Sequence, residues 1–227
     1  MPTPGYQTQQ QLIAVAGVAD LVIRSLLDRQ QFDDPLGAAA RSGISSAAWP
    51  LFGLPWPSGA LLAARLALRP VRAGDRILEI GCGLALASLV AHRRGADITA
   101  SDCHPLAETF LLENLRLNGL LPMKYHRIDW AEKPPPRFAP GAFDLVIGSD
   151  VLYERDDGGL LAACIGGQAA AGAEVWIVDP DRGNRPAFAR RMAGLGFGLR
   201  QERMDRAAMA GRPAFKGRIL IFSRPSA

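Results

Sequence analysis

Short apolar runs alternate with amphipathic stretches along most of this chain. Seven runs have the length and the β-branched or aromatic content of strands, and they cover residues 77–80, 98–102, 125–129, 143–150, 174–178, 197–204 and 217–223. Apolar positions at helical spacing fill the intervals, over residues 60–68, 84–94, 159–170 and 186–195 and in a segment that ends near residue 117. This alternation predicts an α/β fold: one seven-stranded, mostly parallel sheet with helices on both faces, in which the last two strands form a hairpin.

A different pattern stands before the first of these elements. From Gln10 to Arg29 the apolar residues fall at i, i+3 and i+4 spacing, which predicts an amphipathic helix packed on the main domain or on a partner. Residues 1–53 are therefore interpreted as an N-terminal helical extension with an aromatic and proline-rich end, and residues 54–227 as the main domain. The helical stretch has no basic segment before it and carries Asp20 and Arg24, so it predicts neither a secretory signal nor a membrane span.

The composition is that of an ordinary globular protein: of the 227 residues, 48% are hydrophobic and 21% are charged. This length suits one α/β domain with a full core. The three cysteines, Cys82, Cys103 and Cys164, form no C-x-x-C pair, so the sequence predicts neither a disulfide framework nor a metal site. We expect a cytoplasmic protein.

The chain is basic, with a net charge of +4 and an isoelectric point near 9.3. Arginines become frequent towards the C-terminus, at positions 182, 185, 190, 191, 200, 203 and 206. A solvated surface is the favoured interpretation, and a basic face that attracts nucleic acid or an acidic protein stays open as the alternative. Aromatic residues are not interleaved with the basic ones as they are in RNA-recognition segments.

One strand–turn–helix unit, ILEIGCGLALASL over residues 77–89, carries the chemistry of the chain. Gly81 and Gly83 allow positive φ and let the backbone approach a ligand, and the helix that follows points free N–H groups at it. Glu79 lies at the carboxyl end of the strand, where open α/β sheets bind their ligands. Asp102 closes the next strand, and an acid at this place takes the two hydroxyls of a ribose. The unit therefore predicts a nucleoside-containing cofactor.

The glycine spacing arbitrates between two cofactor classes. A dinucleotide fingerprint G-x-G-x-x-G that starts at Gly81 requires glycine at position 86, where the chain has Leu86. The pattern acid-x-Gly-x-Gly at Glu79, Gly81 and Gly83 resembles instead the first motif of class I S-adenosylmethionine-dependent methyltransferases, although Ala85 stands where that family usually has a third glycine. The resemblance implies a Rossmann-like sheet and S-adenosyl-L-methionine as the cofactor.

The segment before this unit sharpens the resemblance. Two Trp-Pro steps, at Trp49 and Trp56, stiffen the backbone, because proline fixes its own φ and restricts the residue before it. We expect Ser58 to cap the helix over residues 60–68. A Trp-Pro-small-small step ahead of the glycine motif resembles the seven-β-strand protein-lysine methyltransferases. That resemblance implies that Trp56 covers part of the cofactor, whereas Trp49 is interpreted as a hydrophobic plug.

Further cofactor-binding candidates follow the later strands at the same edge of the sheet. Asp129 and Trp130 offer a carboxylate for the exocyclic amine of an adenine and a flat ring to frame it. The alternative is that Asp129 lies in a turn and that Trp130 covers the edge of the sheet. Cys82, Cys103 and Ser149 complete the predicted cofactor site.

The strand over residues 143–150 leads into the candidate catalytic residues. Its end reads Asp-x-x-Tyr at Asp150 and Tyr153, which resembles the signature of the protein-lysine branch of the family. Methyltransferases that act on amino groups of DNA bases carry an Asn/Asp-Pro-Pro-aromatic step here, and this chain lacks it. The resemblance implies that Asp150 orients an acceptor amine and that Tyr153 shapes its channel. A helix cap and a packed aromatic ring are the structural alternatives.

Other polar features are interpreted as structural or left open. The loop from Asp179 to Arg185 contains an Asp-Pro-x-Arg step that resembles methyltransferases for the β-subunit of electron-transfer flavoprotein, so it is either a substrate rim or a charged turn. His104 is interpreted as a turn residue and the pair Asn114 and Asn118 as structural. Residues 132–140 predict a proline-rich loop.

The sequence as a whole predicts an S-adenosylmethionine-dependent methyltransferase that methylates lysine side chains of a protein substrate. Transfer to a small molecule or to RNA with the same cofactor is the first alternative. A non-catalytic S-adenosylmethionine-binding interaction module is the second, and a nicotinamide oxidoreductase is the third. No membrane partner is expected, and the sequence predicts no oligomeric state.

Overall fold

The computed structural model describes residues 5–131, 141–208 and 214–225. Its strands are β1 (Thr8–Ile13), β2 (Leu21–Leu26), β3 (Arg76–Glu79), β4 (Asp97–Asp102), β5 (Lys124–Arg127), β6 (Phe143–Ser149), β7 (Ala169–Asp179), β8 (Gly198–Arg203) and β9 (Arg218–Ser223). Its helices are α1 (Ala38–Arg41), α2 (Pro57–Leu68), α3 (Leu86–Arg93), α4 (Ala107–Leu117), α5 (Leu160–Gln168) and α6 (Arg185–Gly194), with a 3₁₀ helix over Trp49–Gly53.

Seven strands form one sheet in the order β5-β4-β3-β6-β7-β9-β8. Strands β3 to β7 pair in parallel, and β9 runs antiparallel to both of its neighbours. This confirms the predicted mostly parallel sheet with its terminal hairpin. From β3 the chain proceeds outwards to β4 and β5 and then returns to place β6 on the other side of β3. The junction of β3 and β6 is therefore the switch point of the sheet, where ligands of open α/β folds bind.

Helices cover both faces of this sheet. Ile77 and Leu78 are adjacent on β3 but belong to different clusters of buried side chains, because successive side chains of a strand point to opposite faces. One cluster joins α2, α3, α4 and the N-terminal segment to the sheet. The other joins α5 and α6 to the opposite face. The helices thereby fix the carboxyl ends of β3, β4 and β6 relative to one another.

The N-terminal segment differs from its prediction. Strands β1 and β2 form an antiparallel hairpin, so the amphipathic helix predicted from Gln10 to Arg29 is wrong. Gly17 lies between the strands with φ +87°, and Leu21 and Ile23 of β2 are fully buried at a two-residue period. Within the described part of residues 1–53, helical structure is confined to α1 and the 3₁₀ helix.

The hairpin is held by two asparagines, Asn114 within α4 and Asn118 at the C-cap of that helix. Asn114 accepts a hydrogen bond from the backbone N–H of Arg24 at 2.8 Å and donates to its carbonyl at 3.4 Å. Asn118 does the same for Val22, at 3.0 and 2.7 Å. Each side-chain amide thus satisfies one donor and one acceptor on the outer edge of β2, as a neighbouring strand would. The structural interpretation of this i, i+4 pair is confirmed.

Two details of the Trp-Pro segment are decided by the structure. Trp49 is a buried plug, with 1% of its surface exposed. Helix α2 begins at Pro57, so its N-cap residue is Trp56, and no side chain caps it. Ser58 is therefore not the cap that its position suggested; its hydroxyl is buried and has no hydrogen-bond partner among the described residues. The proline-rich loop predicted over residues 132–140 lies outside the described residues.

Candidate functional site

The turn between β3 and α3 is a narrow backbone cradle at the switch point. Gly81, Gly83 and Ala85 have φ values of +56°, +51° and +58°. Three positive φ values within five residues fold the chain back on itself, which directs the turn towards the end of β4. Cys82 between them donates its backbone N–H to the carbonyl of Ser101 on β4 at 2.9 Å.

Gly83 has no room for a side chain, and a side chain at Gly81 would be tightly packed. A Cβ added at Gly83 would lie 2.8 Å from the carbonyl oxygen of Phe52, and one added at Gly81 would lie 3.0 Å from Val151 and 3.6 Å from the ring of Trp130. The sequence explained these glycines by the approach of a ligand. The structure shows a second reason for them: the 3₁₀ helix packs closely against Gly83, and the segment after β6 packs closely against Gly81.

Glu79 is buried below the turn. One carboxylate oxygen accepts hydrogen bonds from the backbone N–H of Ser88, at 2.9 Å, and from its hydroxyl group. Burial raises the pKa of Glu79 from 4.5 to about 7, against the opposing effect of the bonds from Ser88. The neighbouring charge of Asp102 raises it further. The site thus holds a carboxyl group that changes its charge near neutral pH.

Asp102 joins the turn to the end of β4. One oxygen of its carboxylate accepts from the N–H of Gly83 at 2.9 Å, and the other accepts from the N–H of His104 at 2.8 Å. A carboxylate has about four acceptor positions, and the backbone of Cys103 also contributes a hydrogen bond, so Asp102 retains acceptor capacity for a further donor such as a ribose hydroxyl. Burial raises its pKa as well. Asp102 is 8% exposed, so it remains accessible from one side.

His104 is structural, as predicted. Its ring stacks on Phe52 with 3.6 Å between the ring centroids, and its Nδ1 accepts from the N–H of Leu106 at 3.2 Å. Burial lowers the pKa of His104 to about 3, so the ring is neutral. A neutral ring that accepts at Nδ1 carries its proton on Nε2, which leaves no basic nitrogen for proton transfer.

The two cysteines predicted at the cofactor site lie beside these acids. Cys82 is in the turn and Cys103 follows Asp102 directly. Burial raises the pKa of the Cys82 thiol well above its usual value and that of Cys103 to about 12. Both thiols therefore stay protonated, which makes them poor nucleophiles.

The remaining cofactor candidates lie at the same edge of the sheet. Trp130 follows β5 and its ring approaches Gly81, whereas Asp129 accepts from the N–H of Ala131 at 2.9 Å. Ser149 ends β6, and a Cβ at Gly59 of α2 would lie 3.6 Å from its hydroxyl oxygen. The side chains of Trp130 and Ser149 are therefore close to the turn and to α2, respectively.

Trp56 is oriented by its own neighbours. Its indole N–H donates to the carbonyl of Leu51 at 2.9 Å, and the guanidinium of Arg29 lies 5.0 Å from its ring centroid. The indole thereby ties α2 to the 3₁₀ helix and to the segment after the hairpin. Its contact with a cofactor stays a prediction.

Asp150 has a partner that sequence reasoning missed. Its carboxylate accepts two hydrogen bonds from the guanidinium of Arg182, from Nε at 2.9 Å and from Nη2 at 3.0 Å. Asp150 itself has φ +55° and donates its N–H to the carbonyl of Val178 on β7 at 2.8 Å. Tyr153, three residues later, is 44% exposed. The Asp-Pro-x-Arg step was the signal for this contact, because it places Arg182 just beyond the end of β7.

The Asp179–Arg185 loop forms a rim next to Asp150. Asp179 is fully buried: one oxygen accepts from the N–H of Arg182 at 3.0 Å, and the other has no partner among the described residues. Burial raises the pKa of Asp179 to about 6. Asp181 accepts from three guanidinium groups, those of Arg185, Arg203 and Arg218. The loop is therefore fastened to α6, β8 and β9 rather than free.

These residues fit an adenosyl cofactor that carries an amino-acid end. The turn presents backbone without side chains, Asp102 retains acceptor capacity for hydroxyl donors, and the buried acid Glu79 lies beneath them. A depression of about 550 Å³ lies elsewhere, lined by residues such as Arg65, Asp144 and Trp176. It is at the amino end of β6, whereas open α/β sheets bind their ligands at the carboxyl ends.

Three comparisons place this architecture among known proteins. Residues 56–185 match the sequence model of a family described as "Lysine methyltransferase". The chain is 31% identical over 107 residues to histone-arginine methyltransferase METTL23 of Xenopus laevis, and the matched region covers 45% of each chain. It is 29% identical over 136 residues to electron transfer flavoprotein beta subunit lysine methyltransferase of Xenopus laevis, covering 59% of this chain and 53% of that one. The chain thus spans about half the length of the curated relatives it matches.

The fold has matches among solved structures. A SAM-dependent methyltransferase of Methanosarcina mazei superimposes with a TM-score of 0.57 at 14% identity, covering 69% of this chain and 95% of that one. At this identity the likeness concerns the fold alone, and it confirms the predicted Rossmann-like sheet. Among the described residues, no helix combines the length and the apolar character that crossing a membrane requires.

Proposed function

This chain belongs to the lysine methyltransferase family, and from that premise we propose that it transfers a methyl group from S-adenosyl-L-methionine to a lysine side chain of a protein substrate. The observation that carries the proposal is the convergence of Glu79, the glycine turn and Asp102 at the junction of β3 and β6. The next carboxylate along the same edge, Asp150, follows β6 directly.

The residues that would hold the cofactor are the cradle and its lining. S-adenosyl-L-methionine supplies a methyl group on a sulfonium, which is already an activated leaving group. Asp102 would accept from the ribose hydroxyls, Asp129 would accept from the exocyclic amine of the adenine that Trp130 frames, and Glu79 would support the turn from below. Trp56, Gly81, Cys82, Gly83, Cys103 and Ser149 complete the proposed lining. Because the donor is activated, alignment of the reacting atoms is the main task of the protein.

The acceptor amine must lose its proton before it can act as a nucleophile. A free lysine has a pKa of about 10.4, so its deprotonation at pH 7 costs about 4.6 kcal/mol. We assign the orientation of the amine to Asp150 and the apolar wall of its channel to Tyr153. Desolvation next to a half-buried aromatic ring favours the neutral amine and lowers this cost.

Labelling with tritiated S-adenosyl-L-methionine in a hypomethylated lysate tests the proposal. We expect label in protein that survives nuclease treatment and is recovered as methyl-lysine after acid hydrolysis. Label lost with nuclease would identify an RNA acceptor, and label in a low-molecular-weight fraction would identify a small molecule. Tight cofactor binding without any labelled product would leave only a binding module.

Arginine is a second candidate acceptor, because the matched relatives include proteins named histone-arginine methyltransferases. A guanidinium has a pKa above 12 and distributes its charge over a plane, so it requires two hydrogen-bond acceptors in one plane. The same hydrolysate separates the two candidates, since methyl-lysine and methyl-arginine elute differently. Methyl-arginine alone would overturn the lysine assignment.

Two substitutions test the assigned roles of Asp150 and Tyr153. We expect Asp150→Ala to reduce kcat by at least about tenfold and Tyr153→Phe to reduce it less, since orientation contributes more than the phenol group. Unchanged turnover in both variants would remove these residues from the site. Binding of S-adenosylhomocysteine should be unaffected in both, which separates acceptor effects from cofactor effects.

A cytoplasmic location, which is part of the proposal, agrees with three free cysteines, two of them buried. Fractionation of cells that express a tagged chain tests the location, and the labelled species tests the acceptor.

A further inference from the structure

Arg182 forms an ion pair with Asp150, the residue that is proposed to orient the acceptor amine. The ion pair is bidentate, and the side chain of Asp150 is only 10% exposed whereas that of Arg182 is 40% exposed. The backbone of Arg182 is fixed as well, because its N–H donates to Asp179. An exposed guanidinium thus covers a nearly buried carboxylate at the edge of the sheet.

A bare carboxylate at this position would oppose the reaction. A negative charge within about 4–6 Å of an amine stabilises the ammonium form and raises the pKa of the amine by about 1–3 units. The nucleophile is the neutral amine, so an uncompensated Asp150 would orient the acceptor in its unreactive form. A cation at the same distance cancels this effect and leaves the acceptor positions of Asp150 for hydrogen bonding.

We propose that Arg182 is a positioning residue that fixes the carboxylate of Asp150 and compensates its charge, so that the site receives the acceptor nitrogen in its uncharged form. This inference rests on the proposed function. In this proposal the Asp179–Arg185 loop takes part in methyl transfer through Arg182, in addition to forming the rim of the site.

The other charged groups around Asp150 have partners of their own. Asp181 forms ion pairs with three arginines. The Nη1 atom of Arg185 is 2.6 Å from a carboxylate oxygen of Asp181 and 3.7 Å from one of Asp179. Asp179 has a raised pKa and carries less than a full charge near pH 6. Tyr153, with Glu154 nearby, has its pKa raised by burial and stays neutral. In the part of the chain that the structure describes, Arg182 is the guanidinium that reaches Asp150.

The pH dependence of kcat in Arg182→Gln tests the inference, because kcat reports ionisation in the enzyme–substrate complex. With the labelled acceptor protein at saturation, we expect the acidic limb of the profile to move to higher pH by about one unit or more. Arg182→Lys keeps the charge and should keep the wild-type limb at a lower kcat, since the bidentate fork is lost. Arg203→Gln is the matched control. It removes an ion pair with Asp181 of the same loop and should leave the acidic limb of the pH profile in place.

A binding measurement decides the matter without turnover. Protein saturated with S-adenosylhomocysteine is titrated with n-butylammonium chloride as a probe for a charged amine. Arg182→Gln should bind the probe at least about tenfold more tightly than wild type, the equivalent of one pKa unit, and Asp150→Asn combined with Arg182→Gln should abolish the gain.

Equal probe affinity in wild type and Arg182→Gln, or a loss of kcat by one factor at every pH, would overturn the inference and leave Arg182 a purely structural residue. The proposed function fails by a different result, which is the absence of methyl transfer by the wild-type protein. The two failures are therefore distinguishable.

Discussion

At the scale of single residues, burial and backbone geometry determine what the site can do. The sequence placed Glu79, Asp102 and the two glycines correctly at one edge, because strand ends and glycine turns are local signals. It did not show Ser88 beneath Glu79, since that contact depends on how α3 packs. It also missed Arg182 on Asp150, a contact that spans 32 positions and requires β6 and β7 to be neighbours.

Glu79 makes stability depend on pH. The pKa of Glu79 is about 7 in the folded protein and 4.5 in the reference state, so the folded state holds the proton more tightly. Protonation of Glu79 therefore adds to the free energy of unfolding at low pH, and this stabilisation is lost as pH rises through 7. Glu79→Gln keeps an acceptor for Ser88 and removes the titration. We expect wild type to gain about 2–3 kcal/mol relative to this variant between pH 8 and pH 5. Denaturant unfolding at both pH values measures this difference, and a pH-independent difference would contradict it.

Gly83 and Gly95 offer a matched pair of substitutions. Both have positive φ, +51° and +80°, but a Cβ at Gly83 would lie 2.8 Å from a backbone carbonyl and one at Gly95 would meet nothing within 4 Å. Gly95→Ala should cost about 1–2 kcal/mol, the strain of a left-handed conformation. Gly83→Ala should cost more in thermal unfolding and weaken S-adenosylhomocysteine binding at least tenfold, about 1.4 kcal/mol. Equal effects of the two substitutions would show that the turn tolerates a side chain.

At the scale of elements, the seven strands of the main sheet were predictable and the N-terminal hairpin was not. The inner strands β3, β4, β6, β7 and β9 are largely buried, the edge strands β5 and β8 are more exposed, and glycines and polar turns separate them, so their type is fixed locally. In the hairpin the apolar residues follow helical spacing in the sequence, whereas the two-residue period shows in the burial of β2. Tertiary contacts decide between them: α4 offers Asn114 and Asn118 to the edge of β2, which a helix with satisfied backbone groups cannot use.

Removal of these amides should release the hairpin without unfolding the sheet. Asn114→Ala and Asn118→Ala each leave one half-buried donor and one half-buried acceptor of β2 without this partner, which costs at most about 1–3 kcal/mol. We expect the amide hydrogens of Val22 and Arg24 to exchange faster while those of β6 are unchanged. Glu113→Ala on the same helix, whose side chain forms an ion pair with exposed Arg116, is the control. Uniform acceleration across the protein would contradict the local docking.

At the scale of the whole molecule, much of the arginine charge of the C-terminal third stands next to acidic side chains. Several arginines of the C-terminal third pair with acids close by, and these pairs join Arg182 to Asp150, Arg200 to Glu202, and Arg185, Arg203 and Arg218 to Asp181. The sequence shows how many arginines the chain has, but it does not show which of them lie close enough to an acid to form an ion pair. The structure therefore favours the solvated interpretation of the charge over a nucleic-acid surface.

This charge pairing predicts weak binding of nucleic acid. We expect a fluorescent single-stranded RNA to bind with a dissociation constant weaker than about 10⁻⁵ M at physiological salt, in the range of non-specific association. Fluorescence anisotropy measures it, and titration with salt separates electrostatic from specific binding. Saturable, salt-resistant binding in the nanomolar range would restore an RNA acceptor.

Calorimetric titration with S-adenosylhomocysteine tests the central claim most directly, that the turn between β3 and α3 and Asp102 form one cofactor site. The wild-type protein should bind one equivalent, and Asp102→Asn should bind at least about tenfold more weakly, because a hydrogen bond to a charged acceptor contributes about 1.5–3 kcal/mol. Asp97→Asn, at the exposed start of the same strand and paired with Lys124, should bind as the wild type does. Absence of heat with the wild-type protein, or equal affinity in all three proteins, would contradict the account.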